Sequence, residues 1–211
     1  MTRVVVVDDQ ELMRSAVRTI LRASGIDVVG EAGNAIDGVH AVRSLNPDVV
    51  LMDVRMPGKD GLQATAELVA SNPDVRVLVL TTFDQDEYID GALRAGAAGF
   101  LLKNAAPEEL VRAVNAVAAG EGVLDPAIVG RVMKRFTSSS SQETSAEIES
   151  LTERERQVLA LLCKGCTNVE IAEQLDVGEA TAKTHVSRVI SKLGVRDRVQ
   201  AVIHAYRCGF A

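Results

Sequence analysis

Tryptophan is absent, and aromatic residues make up only 3% of the chain, with two Tyr and four Phe. Proteins that hold single-stranded nucleic acid by stacking need aromatic faces, so that class is excluded. Three cysteines without a dense pattern argue against a disulfide scaffold. Cys163 and Cys166 form a CxxC, but no second pair stands at zinc spacing, and Cys166 reads as core packing after Gly165. No apolar stretch reaches the roughly 18 residues of a membrane span, so no membrane partner is expected. Val4 to Val7 run straight into Asp8 and Asp9, too short an apolar stretch for a signal peptide, and a cytoplasmic protein is expected. What is present is ordinary for a globular chain. Of 211 residues, 47% are hydrophobic and 25% charged, enough apolar surface to exclude a mainly disordered protein.

The net charge of −6 is unevenly spread. Residues 1–130 carry 11 basic and 19 acidic side chains, a net of −8; residues 151–211 carry 9 and 7, a net of +2. Halves of opposite sign suggest two domains with different partners. The boundary falls in the polar stretch Thr137 to Ala146, which includes Ser138 to Ser141 and reads as a flexible linker. Asp125-Pro126 reads as the start of a short helix leading into it. The expected organisation is therefore 1–122, a linker over 123–147, and 148–211.

Before the linker, short apolar runs alternate with amphipathic segments. The runs are Val4–Val7, Val28–Gly30, Val49–Met52, Val77–Leu80 and Gly99–Leu102. Runs apolar on both faces fit strands buried on both sides, as in a parallel sheet. Between them, Met13, Val17, Ile20 and Leu21 share one helical face, as do Leu110, Val111, Val114 and Val117 after Pro107. Five such repeats predict a doubly wound α/β domain with a parallel five-stranded sheet. After the linker only short helices are expected. Thr152 with Glu155, and Thr167 with Glu170, both fit the capping box, and Gly165 suits the residue just past a helix end. Asp176 to Gly178 reads as a tight turn before a helix of about Glu179 to Leu193, and Asp197 opens a fourth. Four helices with a tight turn between the middle pair suggest a small all-α helix-turn-helix domain.

Reactive residues stand where the first-half strands end: Asp8 and Asp9, Asp53, Thr81 and Lys103. Open parallel sheets bind ligands outside the carboxyl ends of their strands. Three carboxylates brought together there repel one another unless a cation relieves them, and oxygen-only ligands favour Mg²⁺. A carboxylate can attack phosphorus, while a hydroxyl and an ammonium bind the phosphoryl oxygens. Asp53 stands alone in its exit loop and is the nucleophile candidate; Asp8 and Asp9 suit the metal. Each Asp alone could be a helix cap, but capping does not explain the set.

In the second half, Ala182, Val186, Val189, Ile190 and Leu193 mark the inward face of the third helix. Its outward face carries Thr184, Ser187, Arg188 and Ser191, flanked by Thr181, Lys183 and Lys192, a polar and net basic face that suits a DNA major groove. Thr167 and Asn168, at the start of the preceding helix, can offer donors to phosphate. The alternative is an ordinary solvated face. His40 and His204 read as structural.

Residues 1–122 resemble a bacterial response-regulator receiver domain, with a flavodoxin-like fold. The matching stretches are Val4 to Asp9, Leu51 to Pro57 with Gly61, Leu80 to Phe83, and Gly96 to Lys103. The resemblance implies that Asp53 is the phosphoacceptor, phosphorylated by a sensor histidine kinase. It implies that Asp8, Asp9, Asp53 and the backbone carbonyl of Arg55 hold Mg²⁺, and that Lys103 binds the phosphate. Thr81 and Phe100 would be a switch pair, the ring of Phe100 swinging inward; plain core packing is the other reading of Phe100. Residues 148–211 resemble a LuxR-type DNA-binding domain through Leu151 to Leu159, Thr167 to Ala172, Lys183 to Val186 and Lys192 to Arg198. His185 is read as a phosphate contact on this resemblance. Gly178 stands where the family usually has Ser, and Ala182 where it usually has Val. Together the two domains resemble a NarL/FixJ-type two-component response regulator. That implies a non-enzymatic transcription factor, capable only of self-phosphorylation from phosphodonors and slow self-dephosphorylation, which dimerises on phosphorylation and binds double-stranded DNA. Two other readings are an aspartate-nucleophile phosphatase, for which no cap domain is evident, and a DNA-binding protein indifferent to phosphorylation.

Overall fold

A computed structural model describes residues 1–72, 74–82, 86–123 and 146–210. The chain divides into two compact units, Met1–Val123 and Leu124–Ala211. The first alternates strand and helix five times: β1 (Arg3–Val7), α1 (Glu11–Ala23), β2 (Asp27–Ala32), α2 (Ala35–Leu45), β3 (Val49–Asp53), α3 (Gly61–Ser71), β4 (Arg76–Thr81), α4 (Asp86–Arg94), β5 (Gly99–Leu102) and α5 (Pro107–Ala118). All pairings are parallel and the sheet order is β2-β1-β3-β4-β5.

The strands form because their Val and Leu side chains pack well on a pleated surface covered on both sides. Val4, Val6, Leu51, Leu78 and Leu80 meet Val17 and Leu21 of α1 and Leu110, Val114 and Val117 of α5 on one face. Helices α2 and α3 contact β1, β3 and β4. Fully burying one such side chain stabilises the fold by roughly 1.5–3 kcal/mol. Turn and cap residues set where the helices begin. Asn34 accepts the Asp37 amide at the start of α2, Asp60 accepts the Leu62 amide at the start of α3, and Pro107 opens α5.

This order puts the carboxyl ends of β1, β3, β4 and β5 side by side. Asp53 is the last residue of β3 and pairs with Leu80, so Thr81 lies one residue further along the neighbouring strand. Lys103 follows β5 directly, and its amide donates to the Thr81 carbonyl at 2.8 Å.

The second unit is helical: α6 (Ala146–Glu149), α7 (Glu153–Cys163), α8 (Asn168–Leu175), α9 (Glu179–Lys192) and α10 (Arg198–Arg207). Both expected capping boxes form. The Glu155 carboxylate accepts the Thr152 amide at 2.8 Å, and Glu170 accepts that of Thr167 at 2.7 Å. Leu159, Leu162, Ile171, Val189 and Val202 build the core, and the Tyr206 hydroxyl donates to the Cys163 carbonyl at 3.0 Å. Helix α6 was not expected. Ala146 and Glu147 belong to it, and Val123 bridges to Gly99 beside β5, so both ends of the expected 123–147 linker are secondary structure. The helix expected from Asp125-Pro126 and the Ser138 to Ser141 stretch lie outside the described residues. Among the described residues, no helix is long and apolar enough to cross a membrane.

Gly61 shows how tightly the start of α3 lies against the end of β3. A Cβ on Gly61 would sit 1.8 Å from the Asp53 carbonyl oxygen. The Gly61 amide donates to the Val54 carbonyl at 3.0 Å, which fixes the loop. Gly61→Ala should therefore destabilise the protein by ~1–3 kcal/mol through forced backbone shifts. An unchanged melting midpoint would contradict this close approach.

Candidate functional site: an acidic pocket and a helix-turn-helix face

The first site gathers at the carboxyl edge of the sheet. Asp8, Asp9 and Asp53 each offer a carboxylate oxygen, and these oxygens all lie within 4.8 Å of one another. Asp8 and Asp53 are buried, while Asp9 is exposed. The Lys103 ammonium lies between the buried pair, 2.6 Å from Asp8 Oδ2 and 2.8 Å from Asp53 Oδ2, with its side chain 3% exposed. Burial pushes the Asp53 carboxyl above its ordinary range; hydrogen bonding and charge from Lys103 and the Arg55 amide pull it down, and Asp8 pushes it up. Burial works against the Lys103 ammonium, but its hydrogen bonds and charge interactions with Asp53 and Asp8 prevail, and its pKa is raised. Three carboxylates against one ammonium leave the pocket anionic. A carboxylate held above its ordinary range gains from an added cation.

Thr81 is buried at the end of β4. The Arg55 guanidinium lies 5.5 Å from the centre of the Tyr88 ring on α4. Phe100 is 1% exposed and among the largest fully buried side chains. Its ring is already inside, so the outward position from which the expected switch starts is not the arrangement here. Phe83 lies outside the described residues.

The second site is the outward face of α9. Thr181, Lys183, Thr184, Ser187, Arg188 and Ser191 are exposed, while Ala182, Val186, Val189 and Leu193 are buried as their spacing predicts. Helix α9 packs on both α7 and α8. Thr167 is exposed, and its hydroxyl serves the capping box of α8. His185 is half-buried, and its buried Nδ1 has no hydrogen-bond partner among the described residues.

Two expected DNA contacts need correction. Asn168 is only 6% exposed, because it begins the inward stripe of α8 with Ile171 and Ala172. Its side chain is not offered to a phosphate. Lys192 is exposed, but its ammonium is held 2.7 Å from the buried Glu155 carboxylate and 3.4 Å from the Ser150 carbonyl. It ties the end of α9 to the start of α7. In the CxxC, burial pushes the Cys163 thiol up to about 12, which disfavours the thiolate that redox or metal chemistry needs.

A five-stranded doubly wound domain with an acidic pocket, followed by a helix-turn-helix domain, defines a class, and sequence comparison agrees. Residues 4–115 match the response regulator receiver domain family, and residues 149–205 match the luxR family of bacterial regulatory proteins. The chain belongs to the response regulators that carry a LuxR-type DNA-binding domain. It is 39% identical over 208 residues to the transcriptional regulatory protein LiaR of Bacillus subtilis, covering 98% of each chain. It is 40% identical over 210 residues to the uncharacterized transcriptional regulatory protein YxjL of the same organism, covering 98% of this chain and 96% of that one. The crystal structure of the response regulator ChrA is 36% identical, with a TM-score of 0.54 over 100% of this chain and 98% of that chain. These relatives make the protein a non-enzymatic transcriptional regulator.

The Glu155–Lys192 pair gives a pH-dependent prediction. Hydrogen bonds from Lys192 and the Thr152 amide hold the Glu155 carboxyl at about 2, below its ordinary 4.5. The stability this contributes is complete above about 4.5 and is lost as pH falls toward about 2. Lys192→Ala should cost at most ~1.5–3 kcal/mol at neutral pH, the range for a hydrogen bond to a charged group, reduced by solvent screening at the partly exposed Lys192. The gap from wild type, measured by urea unfolding, should narrow in acid; a constant gap contradicts the assignment.

Proposed function

We propose that a sensor histidine kinase phosphorylates Asp53, and that the phosphorylated chain dimerises and binds DNA sequence-specifically to regulate transcription. The observation that carries this reading is the pocket of three carboxylates closed by a buried lysine at the carboxyl edge of a parallel sheet. The Asp53 carboxylate is the nucleophile. Its oxygen forms a bond to phosphorus as the bond to the donor breaks. Lys103 already touches Asp53 and is positioned to take a phosphoryl oxygen, and Thr81, one residue beyond the strand partner of Asp53, is the hydroxyl donor.

The donor set fits Mg²⁺, being all oxygen, anionic and closely grouped. Asp8, Asp9 and Asp53 would hold the ion together with the Arg55 carbonyl. Bound there, Mg²⁺ supplies positive charge that offsets the carboxylates and the phosphoryl oxygens. The new phosphoryl charge biases a two-state receiver, with Thr81 as the responding hydroxyl; the Phe100 ring is already buried, and its inward swing is not part of this reading.

On the DNA side, Lys183, Thr184, Ser187 and Arg188 are the proposed major-groove contacts, flanked by Thr181 and His185. Thr167 and the first amides of α8 face phosphate. The exposure of this row on α9, over a buried opposite face, supports the assignment. A dimer would set two such helices about one DNA turn apart. A kinase and a promoter as partners place the protein in the cytoplasm.

Intact mass tests the chemistry. Wild type incubated with a small phosphodonor and Mg²⁺ should gain one phosphoryl group, and Asp53→Ala should gain none. No gain by wild type, or an equal gain by the variant, overturns Asp53 as the acceptor.

A further inference from the structure

The loop from Asp8 to Gln10 carries two of the three pocket carboxylates, and its hold on the fold is specific. The Asp8 amide donates to the Ala32 carbonyl at 3.1 Å, and the Gln10 amide donates to Asp8 Oδ1 at 2.9 Å. Arg14, half-buried on α1, adds a third tie: its Nη1 donates to the backbone carbonyl of Asp8 at 2.7 Å. The amide of the same residue donates to the Gln10 carbonyl at 3.1 Å. That last bond belongs to the first backbone turn of α1 and needs no arginine; what the Arg14 side chain adds is the bond to the Asp8 carbonyl. Its guanidinium passes over Gly33, just beyond β2, where a Cβ would lie 3.5 Å from Nη1.

We infer that Arg14 is a positioning residue that preforms the Asp8–Asp9 loop for a divalent cation. The inference rests on the pocket being a Mg²⁺ site. Carboxylates this close repel, and the cost of holding them together lowers ion affinity unless the protein has already met it. Arg14 meets it from outside the pocket. It bonds a carbonyl rather than a carboxylate, so it spends none of the oxygens that an ion would use. Its charge also stands behind the anionic loop. Arg18, one turn further along α1, makes a different pair with Glu31 at 2.6 Å, and both side chains are partly exposed. It supplies the same charge from the same helix without touching the loop.

The test is Mn²⁺ binding to the full chain, followed by electron paramagnetic resonance of the free ion, for wild type, Arg14→Ala, Arg14→Gln and Arg18→Ala. Both Arg14 variants should bind roughly three- to tenfold more weakly, as expected for a loop that must be ordered on binding. Arg18→Ala should match wild type. Phosphorylation of the Arg14 variants from a small phosphodonor should be slow at low Mg²⁺ and return to the wild-type rate at saturating Mg²⁺. Loss of packing alone would not produce that split. If Arg14→Ala does not fold, Arg14→Gln carries the comparison. Wild-type affinity in the Arg14 variants, an equal loss in Arg18→Ala, or a rate that stays low at saturating Mg²⁺ overturns the inference while leaving the pocket intact. Wild type that binds no Mn²⁺ overturns the pocket reading and the inference together.

Discussion

One buried ammonium, that of Lys103, sits between Asp8 and Asp53, and the first unit is arranged around it. Removing one partner from a buried ion pair typically costs about 3–5 kcal/mol, because the remaining charge is left without compensation. The sheet order brings the three residues together: β1 and β3 are neighbours, and β5 lies two strands from β3, with Thr81 on β4 between. The long Lys103 side chain spans that gap. One ammonium cannot neutralise Asp8 and Asp53 together, and Asp9 adds a third carboxylate. What remains is a group of closely spaced carboxylates in excess of the positive charge beside them.

The second unit uses the same device for a different end. Glu155 is buried at the start of α7, and Lys192 reaches it from the last turn of α9. A cation at a helix carboxyl end also suits the helix dipole. The pair ties the last turn of α9 to the start of α7, while Thr184, Ser187 and Arg188 on the outward face of α9 stay exposed.

Much of this was legible in the sequence. Short apolar runs marked all five strands, and β1, β3 and β4, buried on both faces, carry the most continuous apolar signature. Both capping boxes were readable because they are local. The acidic pocket was readable because Asp8, Asp9, Asp53, Thr81 and Lys103 fall at strand ends, where a parallel sheet must gather them. Contacts between distant residues were not. Glu155 and Lys192 are 37 residues apart, and nothing local marks them as partners. Arg14 looks like any polar residue on an amphipathic helix; its role depends on a backbone carbonyl that sequence patterns do not record. Asn168 could have been placed correctly, because it lies three and four residues before Ile171 and Ala172 on the buried stripe. The bridging of Asp8 and Asp53 by Lys103 was also out of reach, since the sequence suggested only a phosphate partner for it.

The central claim is that chemistry at Asp53 controls DNA binding by α9. The most direct measurement is the affinity of the full chain for a duplex selected from random sequence, at fixed salt, with and without phosphodonor and Mg²⁺. Phosphorylated wild type should bind more tightly than untreated wild type, and Asp53→Ala should not respond. Equal affinities for treated and untreated wild type, or a response retained by Asp53→Ala, would contradict that claim.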